Sequence, residues 1–385
     1  MKSSPIWTAK TGADPVLNSL RNPFSSLLIS LALVCCITFI PGCKFIYRRS
    51  TKPSAEGSGP WRTFSTRDFL PGNVVLDILE TASEDIYLAT WNGVTRVSRD
   101  QQGKETWRSF GPADGLPPNN VTCLAEDANG AIWASCGMAG NVTLVRLDNG
   151  RWNIVPATSE VAEALIVDMD FDRSGVLWLA TWGSGVFTYD GNQWDHFTDE
   201  TGLPSNFTVV VTPGEDEVWI GTKEGKGASR FHDGRFETFD EHNSGLVDNN
   251  IHAITFQGDS IWFGSWGGAN RVNAFDDLTE FENWNTYASY DNRLPDSFIR
   301  VITVDQDNVW FGTAAGLTRF NNKNTWTTFT TTEKRTITFA PDGTKTSEEV
   351  ESMEGLASDH IFSLLVDSLG RLWVGTDQGV SRYTL

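Results

Sequence analysis

Beyond residue 60 the 385-residue chain has no long apolar run at helical spacing, which speaks against a helical bundle or solenoid. Positive charge is scarce: 30 Lys and Arg stand against 49 Asp and Glu, a formal net charge of -19. A phosphate backbone needs a cationic surface, so nucleic acid is not expected as a partner. Docking on an anionic membrane through the domain face is disfavoured for the same reason. Histidine and cysteine number five each. No Cys/His metal spacing, no H-x-x-x-H pair and no nucleophile elbow occurs, so no metal, no cofactor and no catalytic centre is expected. Three cysteines, Cys35, Cys36 and Cys43, crowd the N-terminal segment. The other two, Cys123 and Cys136, fall on adjacent strands, one step out of direct pairing. They read as buried thiols, with a disulfide as the alternative.

What the chain does have is one phrase written seven times. The copies begin at Ile86, Ile132, Leu177, Val218, Ile261, Val309 and Leu372, and each places an aromatic second: Tyr87, Trp133, Trp178, Trp219, Trp262, Trp310 and Trp373. These aromatics step by 46, 45, 41, 43, 48 and 63 residues, the period of a four-stranded propeller blade. Each unit holds short segments rich in Val, Ile, Thr, Phe and Trp, bounded by Gly, Asn and Asp, which read as strands and tight turns. The third strand ends in Arg followed by an apolar residue, as in Arg96-Val97, Arg230-Phe231 and Arg319-Phe320. The fourth carries a spaced aromatic pair, as in Trp107/Phe110, Trp194/Phe197 and Trp326/Phe329; around Trp152 only one aromatic remains. The seven repeated aromatics are expected in the core between blades.

The last unit stops after its third strand, while a fourth-strand phrase, Trp61-Arg62-Thr63-Phe64, precedes the first unit. Pairing the two closes the ring and removes exposed strand edges. The expected fold is therefore all-β: a single seven-bladed β-propeller over residues 61–385, closed by an N-terminal strand that completes the last blade. The widest step hides an insertion at about 331–354. It lacks a strong core signal and reads as a protruding hairpin or loop around Pro341-Asp342-Gly343.

The N-terminus reads as an address. Residues 24–40 are apolar and uncharged, preceded by Lys2, Lys10 and Arg21, and lead into Ile40-Pro41-Gly42-Cys43. Residues 1–43 are expected to be a lipoprotein-type signal lipidated at Cys43, or an uncleaved membrane-anchor helix, with cleaved soluble export as the third alternative. Residues 44–60 form a linker. Each alternative places the propeller outside the cytoplasm or tethered at a membrane, in the cell envelope.

The loops before the first strands also repeat: Asp114-Gly115-Leu116-Pro117-Pro118-Asn119, Thr201-Gly202-Leu203-Pro204-Ser205-Asn206, Ser244-Gly245-Leu246-Val247-Asp248-Asn249 and Glu354-Gly355-Leu356-Ala357-Ser358-Asp359. With the W-x-G-T-x-x-G-x-x-R-F strand pair, this resembles the two-component regulator propeller repeat over essentially all of residues 61–385. The third unit departs, with Ser159–Ala164 in place of the G-L-P phrase. The resemblance implies a periplasmic sensing propeller of the kind found in hybrid histidine kinases, which recognise ligands such as glycans. No kinase glycine loops and no receiver domain are present, so a binding or sensor-like propeller is implied, and not a kinase.

Propeller ligands bind where loops from all blades converge. On the turns between second and third strands, Trp91, Trp182 and Trp266 recur in alternate blades beside glycine, where an indole is expected to be exposed and able to stack on a sugar ring or apolar group. The other reading packs each against the next loop. Asn119, Asn206 and Asn249 share one loop position and either line the channel mouth or brace the turn. His252, Arg300 and His360 begin first strands near the channel. The expected partner is an unknown small molecule or glycan, or an envelope protein; the membrane is reached through the N-terminal lipid or helix. Two other readings remain: an interaction scaffold in an envelope complex, and a streptogramin-lyase-like enzyme. The enzyme would need His252 or His360 beside a channel Glu, with Glu80, Glu126 and Glu163 on offer.

Overall fold

The computed structural model describes residues 60–384, apart from 119, 292, 306 and 354. The expected signal or anchor with Cys43, the linker to residue 59, and Asn119 lie outside the described residues. The described chain folds into seven antiparallel sheets, the blades of a β-propeller. Blade 1 shows the plan: Val75–Glu80, Ile86–Thr90, Gly93–Arg99 and Glu105–Phe110 pair in chain order. Blades 2 to 6 begin with Val121–Glu126, Ile166–Phe171, Thr208–Pro213, Ile251–Gln257 and Val301–Val304. Blade 7 takes Ile361–Val366, Arg371–Thr376 and Gly379–Thr384, and its outermost strand is Trp61–Phe64, with Trp61 opposite Tyr383 and Phe64 opposite Val380.

The repeated phrase builds the seams between blades. Its aromatic is buried in every blade, and Trp219, Trp262, Trp310 and Trp373 have no exposed surface. Six of the seven rings are indoles, and further contacts hold them. In five of them the indole N–H donates to an acid on or near the preceding turn, as from Trp178 to Asp172 Oδ2 at 2.8 Å and from Trp373 to Asp367 Oδ2 at 2.8 Å, while Trp262 donates to Gln257 Oε1. The same Asp side chain accepts turn amides, those of Ser174 and Val176 at Asp172. Where the third strand carries its arginine beside an indole, the guanidinium lies over the ring, Arg271 at 5.5 Å from Trp262 and Arg319 at 5.7 Å from Trp310, a cation–π contact. The glycine two places after the Trp lets the next blade approach. A Cβ on Gly264 would stand 2.6 Å from Ile299 of blade 6, and one on Gly312 would stand 2.6 Å from Ile361 of blade 7.

Two features refine the sequence reading. The insertion does not leave the body as a separate protrusion. Glu333–Phe339 pairs along the outer strand of blade 6, with Trp326 opposite Ile337, and Lys345–Ser352 pairs outside it, giving a six-stranded blade. Strand alternation turns Ile337 and Phe339 to one face, where both are buried against Trp326 and Phe320. In the third unit a five-residue α-helix, Ser159–Glu163, replaces the G-L-P loop, with the Thr158 hydroxyl accepting from the Val161 amide. Cys123 lies opposite Ser135 and Cys136 opposite Val121; both are buried free thiols.

Candidate ligand site at the channel mouth

The loops entering first strands and the turns leaving second strands meet on one face. Backbone bonds join them between neighbouring blades: Gly185 N–H donates to Asn206 O at 2.8 Å, Gly227 to Asn249 O at 2.8 Å and Ile299 to Ser265 O at 2.9 Å. The residue after each second strand is thereby held at the rim of the channel. In blades 1, 3, 4, 5 and 7 it is Trp91, Trp182, Lys223, Trp266 and Asp377.

Three of these make one array. Lys223 is buried, and its Nζ stands 4.9 Å from the Trp182 ring and 5.2 Å from the Trp266 ring. Trp182 meets Phe207 edge-on at 5.6 Å. Trp266 keeps half its surface open to solvent. Beneath it lies His252, parallel at 6.1 Å, and both rings meet Phe298 edge-on, at 4.6 Å for His252 and 5.9 Å for Trp266. Arg300 continues the array, its guanidinium 5.2 Å from the Phe298 ring and 5.3 Å from Phe362. Rings and cations thus alternate from blade 3 to blade 7.

His252 is the chemically distinctive member. Burial pushes its pKa well below the ordinary imidazole range, and the charges of Lys223 and Arg300 push the same way, so the ring is neutral at physiological pH. Its Nε2 is shut off from solvent and has no hydrogen-bond partner. A buried polar atom left in this state costs free energy until a partner arrives. The arrangement therefore offers stacking faces, two cations and one unsatisfied imidazole nitrogen at a channel rim, the mix of apolar wall and few polar groups that seats small ligands.

The remaining expected residues lie elsewhere. Trp91 is exposed on blade 1, and among the described residues no ring or cation contact joins it to the array. Asn206 Oδ1 accepts the Asp199 amide at 2.9 Å and Asn249 Oδ1 accepts the Glu241 amide at 2.7 Å; Asn73 accepts from Thr66 in the same way. These side chains brace their own loops. His360 sits 3.5 Å from Asp377 on blade 7. Burial tends to raise the Asp377 pKa, but hydrogen bonds from His360 and Ser358 outweigh it and hold the group low. Glu80 and Glu126 are spent on neighbouring turns, accepting from Ser368 and Ala82. His232 ends the third strand of blade 4 and bonds Asp216 O.

Sequence reasoning passed over Lys223, because a lysine after a strand reads as a solvated turn. It also passed over two aspartates on first strands, Asp77 and Asp168. Burial raises Asp168 to about 8, with Asp77 and Asp170 adding repulsion; Asp77 is raised to about 6, again by burial first. Asp77 Oδ2 accepts the Leu124 amide at 2.8 Å and Asp168 Oδ2 accepts that of Val211 at 2.9 Å, so each ties its blade to the next. The one signal was a carboxylate inside an apolar strand.

Residues 115–137 and 355–378 match the two component regulator propeller family. A search of curated protein sequences finds no match. Among solved structures the chain resembles the extracellular domain of a putative one component system from B. thetaiotaomicron, with a TM-score of 0.58 at 15% identity over 83% of this chain. The chain spans 42% of that domain's length. It resembles virginiamycin B lyase from Staphylococcus aureus with a TM-score of 0.58 at 13% identity, covering 84% of this chain and 99% of the lyase. It also resembles PorZ, a surface component of the type-IX secretion system of Porphyromonas gingivalis, with a TM-score of 0.57 at 15% identity, covering 83% of this chain and 48% of PorZ. At such identities the likeness is one of fold. Among the described residues no helix is long and apolar enough to cross a membrane. With the repeats and the seven sheets in agreement, the chain is a seven-bladed β-propeller, two segments of which match the two component regulator propeller family.

Proposed function

We propose that this chain is an extracytoplasmic, membrane-tethered, sensor-like propeller that binds a ligand at the channel mouth without turning it over. The array of Trp182, Lys223 and Trp266 over His252 carries the reading. Lysine and arginine among stacking rings favour a flat or ring-bearing ligand with an anionic group, such as a carboxylate-bearing sugar. The likeness to the extracellular domain of a one component system supports the location, and the apolar segment before Cys43 supports a tether. Catalysis is not proposed, because His252 has no carboxylate among its described partners to orient it as a base.

The test is a thermal-shift screen of the full-length chain against neutral and carboxylate-bearing oligosaccharides and small metabolites. A saturable rise in Tm that is lost in the Trp182→Ala, Trp266→Ala double variant and in Lys223→Gln is the expected result. A rise that survives all three substitutions overturns the mouth as the site. The competing reading is a protein-interaction scaffold, favoured by the fully exposed outer strand Lys345–Ser352 of blade 6. A screen with no response, together with partner capture lost on deleting that hairpin, would replace the ligand reading with it.

A further inference from the structure

Five of the seven blades lay their core Trp against the second aromatic of their own fourth strand. Trp178 meets Phe197 at 6.1 Å and 9°, Trp219 meets Phe239 at 5.4 Å and 33°, and Trp262 meets Tyr287 at 5.5 Å and 28°. Trp310 meets Phe329 at 6.0 Å and 29°, and Trp373 meets Phe64 at 6.5 Å and 24°. Blade 1 packs Tyr87 with Phe110 in one cluster. Blade 2 differs. Its fourth strand aligns Trp152 with Leu147 as blade 1 aligns Trp107 with Val97. The residue three places on, Val155, bonds through its amide to Leu144 O. Val155 thus stands where the other six blades have Phe or Tyr, and Trp133 lacks the ring that faces its counterparts.

A cavity of about 520 Å³ opens at this seam between blades 2 and 3. Trp133, Val155, Phe171 and Tyr189 wall it, and Ile154 at its lip is 70% exposed. It lies on the face away from the channel mouth, since its rim includes the turns after first and third strands, Asp127–Asn129 and Asp190–Gly191. Three carboxylates ring it, Asp127, Asp148 and Asp190, against one cation, Arg146, which both Asp127 and Asp148 engage. The departure from the G-L-P loop at Ser159–Ala164 falls at the same junction, so two irregularities of the repeat coincide at one seam.

We propose that this seam is a second binding site, which takes an aryl group bearing a positive charge, its ring stacked on Trp133 in the place that six blades fill with their own side chain. The missing ring defines the shape of the occupant, and the excess of carboxylates defines its charge. The site is independent of the channel mouth and does not rest on the function proposed above.

Benzamidine is the probe, with benzoate and cyclohexylamine as controls, titrated into the full-length chain by calorimetry or ligand-observed NMR. Saturable benzamidine binding at least roughly tenfold tighter than either control is expected. Val155→Phe restores the ring of the repeat and should abolish that binding while raising Tm. Asp148→Asn, which changes no apolar contact, should weaken benzamidine several-fold. Trp266→Ala should leave it unchanged. No saturable binding into the millimolar range, equal binding of benzoate, or benzamidine binding indifferent to both Val155→Phe and Asp148→Asn would overturn the proposal.

Discussion

The seams and the channel mouth use the same residue, tryptophan, to opposite ends. At the seams Trp219, Trp262, Trp310 and Trp373 are fully buried, with their indole N–H groups bonded and an arginine against their faces. At the mouth Trp266 is half-exposed, and its ring faces a histidine with an unsatisfied nitrogen. The seam residues recur in every blade because every blade must bury the same apolar face against its neighbour. The mouth residues do not recur in every blade, since a ring of seven equivalent positions needs only a few to meet a ligand. Repetition marks scaffold here, and departure from it marks the candidate sites.

The sharpest way to break this contrast is to remove one tryptophan of each kind. Trp262→Ala should cost about 3–5 kcal/mol of stability, because it deletes a packed ring and leaves a cavity. Trp266→Ala should leave the denaturant midpoint within about 0.5 kcal/mol of the parent, as surface changes do. Equal losses in urea unfolding would erase the distinction between seam and mouth.

A smaller effect separates the channel wall from both. Asp77 and Asp168 have folded pKa values of about 6 and 8 against an ordinary 3.8. The folded state holds their protons more tightly than the unfolded chain does. Their stabilisation is therefore complete below about pH 4 and is lost as pH rises through about 6 and then about 8. Melting should occur at a higher temperature at pH 5 than at pH 8, and Asp168→Asn should raise Tm at pH 8 but not at pH 5. A flat wild-type profile, or an Asn variant equally shifted at both pH values, would show that these carboxylates ionise normally.

The smallest expected change concerns the loop asparagines. Asn206→Ala should cost about 1 kcal/mol through the lost cap on the Asp199 amide, with ligand affinity at the mouth unchanged. An affinity loss without a stability loss would return Asn206 to the ligand site.

Much of this molecule was legible in its residues. The aromatic steps, the Asp-Gly turns and the phrase at Trp61–Phe64 led to seven blades and to the pairing with the last strand. Trp182, Trp266, His252 and Arg300 were legible singly, as unusual residues at loop positions. Their assembly was not, and neither was Lys223, whose local sequence is that of a solvated turn. The outward extension of blade 6 was hidden because Ile337 and Phe339 stand among threonines and charges, and their burial depends on pairing with Thr325–Phe329.

The sequence by itself determined the blade, since a strand, its turn and the aromatic that packs on the next unit are encoded within some 45 residues by alternation and turn chemistry. Only the tertiary structure decided the sites. Trp182, Lys223 and Trp266 come from three successive blades, and the curvature of the ring, with the backbone bonds that lock each turn to the next blade, brings two indoles within 5.2 Å of one ammonium. The gap beside Val155 likewise exists only because six other seams define what should have filled it.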